Sequence, residues 1–178
     1  MNYIIKTSRI GLRNWHRSDL DAMTAINQNP QVMRYFPSRP NRKETEVFIL
    51  KMQHQFQQNN YCYFAAELLP TAEFIGFVGL SDQNYPADFT PCVDIGWRLK
   101  VQAWGKGFAT EAATACLEYA FNRLYLKEIF AIAPLVNKPS IRVMEKIDMQ
   151  PKGTFRHPKL INHPHLTECV VYVKSHPK

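Results

Sequence analysis

The segment from Gln102 to Thr110, Gln-Ala-Trp-Gly-Lys-Gly-Phe-Ala-Thr, lies between an alternating apolar run ending at Leu99 and a helical pattern beginning near Ala109. A strand, a glycine turn and a helix N-terminus in that order form an anion site. The first N–H groups of such a helix have no carbonyl partner and converge on one point, where the helix dipole also favours negative charge. Gly105 and Gly107 carry no Cβ, so a phosphate can approach the main chain closely. Two nucleotide motifs do not fit. A dinucleotide fingerprint needs a third glycine three residues after Gly107, where Thr110 stands. A P-loop needs a further upstream glycine and a Ser or Thr directly after Lys106, and neither is present.

The elements that must position this loop follow from periodicity. Arg9 to Trp15 alternates as a first strand, and Ser18-Asp19-Leu20-Asp21 reads as the N-cap and acidic first turn of a helix ending before Asn29-Pro30. Val32 to Phe36 forms a short further turn. Asn41-Arg42-Lys43-Glu44 has capping-box spacing for a second helix, with Val47, Leu50 and Phe56 facing inward. Tyr61 to Leu68 and Phe74 to Leu80 are strands joined across Pro70-Thr71, and the second is apolar on both faces, as in mid-sheet. Ser81 to Pro91 is a polar loop whose aromatics, Tyr85 and Phe89, suit a lid as well as a solvated connection. In Cys92 to Leu99, Trp97 and Leu99 share one face and Asp94, Gly96 and Arg98 the other; Gly96 marks a bulge or a close approach by a ligand. A helix from Ala109 to Leu124, a strand from Glu128 to Ala133 and a helix from Pro139 to Ile147 follow. Strands from Gly153 to His157 and Glu168 to Lys174 complete the order. This succession predicts a mixed α/β (α+β) fold, a mostly antiparallel central sheet with helices on both faces and one βαβ crossover.

At 178 residues and 20.7 kDa, with 46% hydrophobic residues and no linker or repeat, residues 1–178 are expected to form one domain. No run of about 18 apolar residues is present to span a membrane, and the N-terminal residues lack a secretory apolar region. A cytoplasmic location is therefore expected. The four cysteines form no C-x-x-C pair and each lies in an apolar segment, which argues against a disulfide framework. A net charge of +7 fits a plain basic surface or a polyanionic small ligand. The charges are scattered rather than striped, which disfavours a nucleic-acid module.

Gln102-x-x-Gly105-x-Gly107 resembles the Q/R-x-x-G-x-G/A signature of the GNAT superfamily of N-acetyltransferases. Its context, Ile95-Gly96-Trp97-Arg98-Leu99 before and Phe108-Ala109-Thr110-Glu111-Ala112 after, is similar too. Asn137-Lys138-Pro139-Ser140-Ile141-Arg142-Val143-Met144-Glu145-Lys146 looks like the second cofactor segment of the branch that includes ribosomal-protein N-terminal acetyltransferases. The likeness runs from about residue 8 to 174. One departure is Asp148 where the family usually has glycine; this is a position after a helix where the chain turns left-handed, which Asp tolerates.

The resemblance implies acetyl-CoA as donor, no metal, and a primary amine as acceptor, either a small molecule or a protein N-terminus. It assigns the pyrophosphate to main-chain N–H groups of Gly105, Lys106, Gly107, Phe108, Ala109 and Thr110, with Gln102 and Trp104 flanking them. It places the pantetheine arm against exposed backbone near Ile95 to Leu99, with Trp97 and Leu99 as contacts, in a gap where that strand splays from the one after Glu128. Asn137 and Ser140 match cofactor-contacting positions. Ser140 is the candidate to protonate the leaving thiolate, or it simply caps its helix. Asp94 is the candidate base or amine anchor, or it forms an ion pair with Arg98; Glu67 is a weaker alternative. His157, His163, His165 and Cys169 cluster without any zinc spacing, and His157 or His165 could line the acceptor side. Tyr35, Phe36, Tyr85, Phe89 and Trp104 are further candidates to shape that pocket. No Cys or Ser stands beside a His as in a covalent catalyst, so direct transfer is expected. A cofactor-binding sensor without activity is the rival reading. A homodimer is compatible with the chain, whose sequence does not set the oligomeric state.

Overall fold

A computed structural model describes residues 2–176. Eight strands form one sheet in the order β1-β2-β3-β4-β5-β6-β8-β7. They are β1 (Ile5–Lys6), β2 (Ile10–Arg13), β3 (Tyr63–Leu68), β4 (Glu73–Gln83), β5 (Cys92–Leu99), β6 (Glu128–Pro134), β7 (Gln150–Arg156) and β8 (Glu168–Ser175). Every neighbouring pair is antiparallel except β5 and β6, which are joined through α3 (Phe108–Asn122) as the single βαβ crossover. The expected mixed architecture is what the chain adopts, with β1 and a short α5 (Pro164–Thr167) added. Among the described residues no helix is long and apolar enough to cross a membrane.

Cross-strand partners share a face, so register decides what each helix covers. Phe77 of β4 meets Phe48 of α2 (Arg42–Asn59) at 5.4 Å between ring centroids, while Phe64 of β3 meets Tyr119 of α3 on the other face at 6.4 Å. Helices therefore cover both sides. Small residues let α3 lie close: Ala112, Ala113, Cys116 and Ala120 are fully buried.

Local signals held where they were self-contained. Asn41 and Glu44 form the capping box, each accepting from the other's N–H, at 3.0 and 2.7 Å. Asp148 takes the left-handed conformation, φ 58°. The inward face of α2 corrects the expectation. Val47 and Leu50 are 60% and 58% exposed, because the buried stripe through Thr45, Ile49 and Met52 runs on the opposite side. Ser18 also makes no side-chain cap on α1 (Asp19–Gln28). Asp19 acts there instead, accepting from His16 N at 2.7 Å and from both terminal nitrogens of Arg13.

Arg13, Asp19 and Glu67 form a buried cluster that ties β2, β3 and α1 together. Arg13 reaches Glu67 Oε1 at 2.5 Å and Asp19 Oδ2 at 2.7 Å, and all three side chains are about 5% exposed or less. Glu67, offered above as an alternative base, is thus engaged as a structural ion. Burial works to lower the Arg13 pKa, but its bonds to Asp19 and Glu67 prevail and hold it above the ordinary arginine value.

Candidate active site

The crossover opens the sheet. β5 and β6 pair only at Asp94 and Phe130, and beyond that point the two strands diverge toward their C-terminal ends. A groove of about 360 Å³ runs from the C-terminal end of β5 along Trp97, Arg98 and Leu99 to the glycine loop. A second groove of about 330 Å³ reaches Asp94. Tyr35, Phe36, Trp97, Arg98, Asn137 and Ser140 line both.

At the loop, Gly105 and Gly107 sit at φ 71° and 79°, in the left-handed region where a side chain is strained. Gly107 is the N-cap of α3 and offers no side chain to its first turn, so those N–H groups stay available to an anion. The loop is fastened from a distance. Arg9 donates to the Lys106 carbonyl at 3.1 Å and to Glu111 Oε2 at 2.6 Å, and Thr7 donates to Glu111 Oε1 at 2.6 Å. Burial pushes the Glu111 carboxyl up, but the donors from Thr7, Arg9 and Ser8 outweigh it and hold it below its ordinary value.

Of the cofactor candidates, Trp97, Leu99, Trp104, Gly105, Gly107, Phe108, Ala109, Thr110, Asn137 and Ser140 line the first groove. Gln102 and Lys106 do not; both are exposed, one on the 3-10 turn before the loop and one between the glycines. Trp104 serves two ends at once, donating its indole N–H to Leu99 O at 2.8 Å while lining the groove. Arg34, Arg142 and Lys146 also line it. Sequence reading passed over these cations, although Arg142 and Lys146 stand four apart on α4 (Lys138–Lys146), directly after the recognised Asn137. The Asn137 side chain accepts from the main-chain N–H of Ser140 at 3.3 Å, so Asn137 is the cap and the Ser140 hydroxyl is left for other work.

The second groove rests on a row of residues across three strands. Tyr63, Gly79 and Gly96 are opposite one another on β3, β4 and β5. Because Gly79 and Gly96 carry no side chain, the Tyr63 ring extends over the sheet; a Cβ on Gly96 would lie 3.0 Å from it. The ring stacks on Phe77 and donates its hydroxyl to Asp94 Oδ1 at 2.6 Å. The expected bulge at Gly96 is absent from the β4–β5 ladder, whose register is continuous, and the glycine makes room for an aromatic ring. The expected Asp94–Arg98 ion pair is absent as well: Arg98 lies over Phe36 and donates to Asn27 Oδ1 at 2.6 Å. Burial pushes the Asp94 carboxyl up to about 6, against the lowering effect of the Tyr63 and Gln83 hydrogen bonds.

Of the residues expected on the acceptor side, Tyr85 and His157 line the second groove with ring centres 4.4 Å apart and planes tilted by 38°, whereas His165 is exposed outside it. Phe89 packs on Phe130 and Phe155 instead of lining either groove. His157 Nδ1 accepts from Lys159 N, which leaves Nε2 to carry the proton of the neutral ring, and burial lowers its pKa. Among the described residues no group of His, Cys, Asp and Glu could hold a metal ion.

Residues 9–150 match the model of the acetyltransferase (GNAT) domain family. The chain is 32% identical over 151 residues to YkkB, an uncharacterized protein of Bacillus subtilis, covering 84% of this chain and 87% of that one. A GNAT-family acetyltransferase structure from Bacillus anthracis superposes with a TM-score of 0.79 at 28% identity, over 96% and 97% of the two chains. Spermidine N-acetyltransferase from Vibrio cholerae, in complex with CoA and spermine, shares the fold with a TM-score of 0.75 at 22% identity, over 95% and 96% of the chains. With a family model spanning most of its length, and a glycine loop open at the mouth of a parted strand pair, this chain belongs to the GNAT family of acetyltransferases.

Proposed function

We propose that the chain transfers an acetyl group from acetyl-CoA to a primary amine by direct attack in a ternary complex. The observation that carries this reading is the shared wall of the two grooves, where Trp97, Asn137 and Ser140 border both the anion loop and the space around Asp94. The N–H groups from Gly105 to Thr110 take the pyrophosphate, and Arg34, Arg142 and Lys146 offset its charge. The pantetheine arm lies along β5 beyond Asp94, where the strand edge has no β6 partner. The amine nitrogen attacks the thioester carbon; the C–N bond forms and the C–S bond breaks. Asp94 receives the amine proton, directly or through water, and the Ser140 hydroxyl protonates the departing thiolate before regaining its proton from solvent. The four free cysteines support a reducing, cytoplasmic setting.

Mixing the chain with acetyl-CoA and a panel of amines should release free thiol. Thermal stabilisation by CoA without thiol release on any amine would favour the inactive sensor. Because the Asp94 carboxyl sits near 6, kcat/KM should climb as pH rises through that value, and Asp94→Asn should remove this limb and lower kcat by about 100-fold or more. The same group acts on stability in the opposite direction. The folded state holds its proton more readily than the unfolded chain, so its contribution falls as pH rises from the ordinary carboxylate range to about 6. Asp94→Asn is therefore expected to raise Tm at pH 7 and leave it nearly unchanged at pH 4; a lower Tm at pH 7 would count against a buried, costly carboxylate.

Ser140→Ala keeps the helix cap, which uses the Ser140 main-chain N–H. It should lower kcat by about 10-fold or more while CoA affinity stays within about twofold. Unchanged turnover would remove Ser140 from the proton path.

A further inference from the structure

We infer that the acceptor carries a carboxylate beside its primary amine, bound by Arg98 and Lys159 against an aromatic wall. The inference rests on the transferase reading above and concerns its acceptor side. Among the described residues Asp94 is the only acidic one lining the second groove, and none lines the first. Against that single carboxylate stand two cations. Arg98 forms no ion pair among the described residues. Its guanidinium lies 4.1 Å from the Phe36 ring centre and 5.4 Å from that of Phe77, with Nη1 held by Asn27. Asn27 in turn donates to Thr45 on α2, so the guanidinium is fixed in place.

Two buried polar atoms among the described residues lack a hydrogen-bond partner, Arg98 Nε and Tyr85 Oη, and both residues line this groove. An Arg Nε–H can only donate, so its missing partner is an acceptor, while Tyr Oη can donate or accept. A buried donor without an acceptor is costly, so an acceptor supplied by an ordered water or by a ligand stabilises it. Lys159 Nζ lies 5.7 Å from the Tyr85 ring centre, and His157 adds an Nε2–H donor. Burial pushes the Arg98 pKa down to about 10, so the guanidinium keeps its charge at neutral pH without a partner carboxylate among the described residues. The groove thus offers one anion for an amine, two cations and orphan donors for an oxyanion, and rings between them. A polyamine brings several positive charges and no acceptor, and it would face Arg98 and Lys159 with like charge. An amino acid with an apolar or aromatic side chain brings an amine for Asp94, a carboxylate for the cations and an apolar surface for the rings.

Phenylalanine, phenylalaninamide, phenethylamine and spermidine separate these chemistries. With acetyl-CoA saturating, kcat/KM for phenylalanine should exceed that for phenethylamine and for spermidine by about 10- to 100-fold, the worth of a charged hydrogen-bonded contact. Arg98→Gln should shrink that ratio, and Lys159→Gln, at an exposed position, should shrink it in the same direction if the arginine variant does not fold. Calorimetric binding of the same compounds to the CoA-loaded chain gives an arm that needs no turnover. If no amine releases thiol, the transferase reading falls, and the binding arm still decides the carboxylate. Equal use of phenylalaninamide, preference for spermidine, or a ratio untouched by both variants would overturn the proposal. So would failure of phenylalanine to bind the CoA-loaded chain more tightly than phenethylamine.

Discussion

The double variant Gly105→Asp/Gly107→Asp is expected to lose CoA affinity by about 100-fold or more, equivalent to about 2.7 kcal/mol, while remaining folded. Both glycines are left-handed, and asparagine and aspartate are the non-glycine residues that best tolerate that region. Space is also available, since a Cβ at Gly105 meets nothing within 4 Å and one at Gly107 meets only the end of the Arg9 side chain at 3.5 Å. The backbone cost is about 1–2 kcal/mol per substitution, which lowers Tm by about 2–4 °C for each kcal/mol in a chain of this size. The functional loss is larger because two carboxylates then face the pyrophosphate where main-chain N–H groups should. Titration calorimetry with CoA, set beside the melting curve of the ligand-free protein, separates the two effects. Retention of wild-type CoA affinity in a folded double variant would mean that the loop is not the phosphate site.

Arg13→Met is expected to cost about 3–5 kcal/mol of stability, with no contact to either groove required. The guanidinium is the shared partner of two carboxylates, Asp19 at 2.7 Å and Glu67 at 2.5 Å, all nearly shielded from water. Methionine fills comparable volume but leaves both acids buried without their cation, which is why removing one partner costs more than the cluster contributes. At about 2–4 °C for each kcal/mol, Tm should fall by roughly 10 °C or more. Asp19→Asn together with Glu67→Gln in the Arg13→Met background should recover part of that loss, since neutral amides tolerate burial better than unpaired carboxylates. A drop of only a degree or two in the single variant would show that the acids find other partners or water.

The strands and helices were legible in the sequence wherever one segment carried its own signal. The Asn41–Glu44 box, the Cys92–Leu99 alternation and the small-residue face of α3 are local, and each was readable from spacing. The inward face of α2 was not, because Val47 and Leu50 are apolar in type yet fall opposite Thr45, Ile49 and Met52. Hydrophobicity names candidates for burial; only packing against Phe77 and Trp15 through Phe48 selects the side. The Asp94–Arg98 pair shows the same limit. Four residues apart on one strand face, they looked like partners, but each found another across the sheet or on a helix, Tyr63 and Asn27.

The sequence by itself determined the donor half of this protein. The glycine loop and the helix it starts form one contiguous segment and the Asn137 helix start another, and a helix N-terminus makes an anion site through its own backbone whatever surrounds it. The tertiary structure decided the acceptor half. Tyr63 reaches Asp94 only because β3, β4 and β5 align Tyr63 with Gly79 and Gly96, and Arg98 stays unpaired only because α1 supplies an amide and not an acid. Arg9 and Glu111, about a hundred residues apart, hold the loop by the same kind of long-range bond. Such contacts depend on strand register and on which helix lands on which face, and those are properties of the closed sheet, absent from any one segment's spacing.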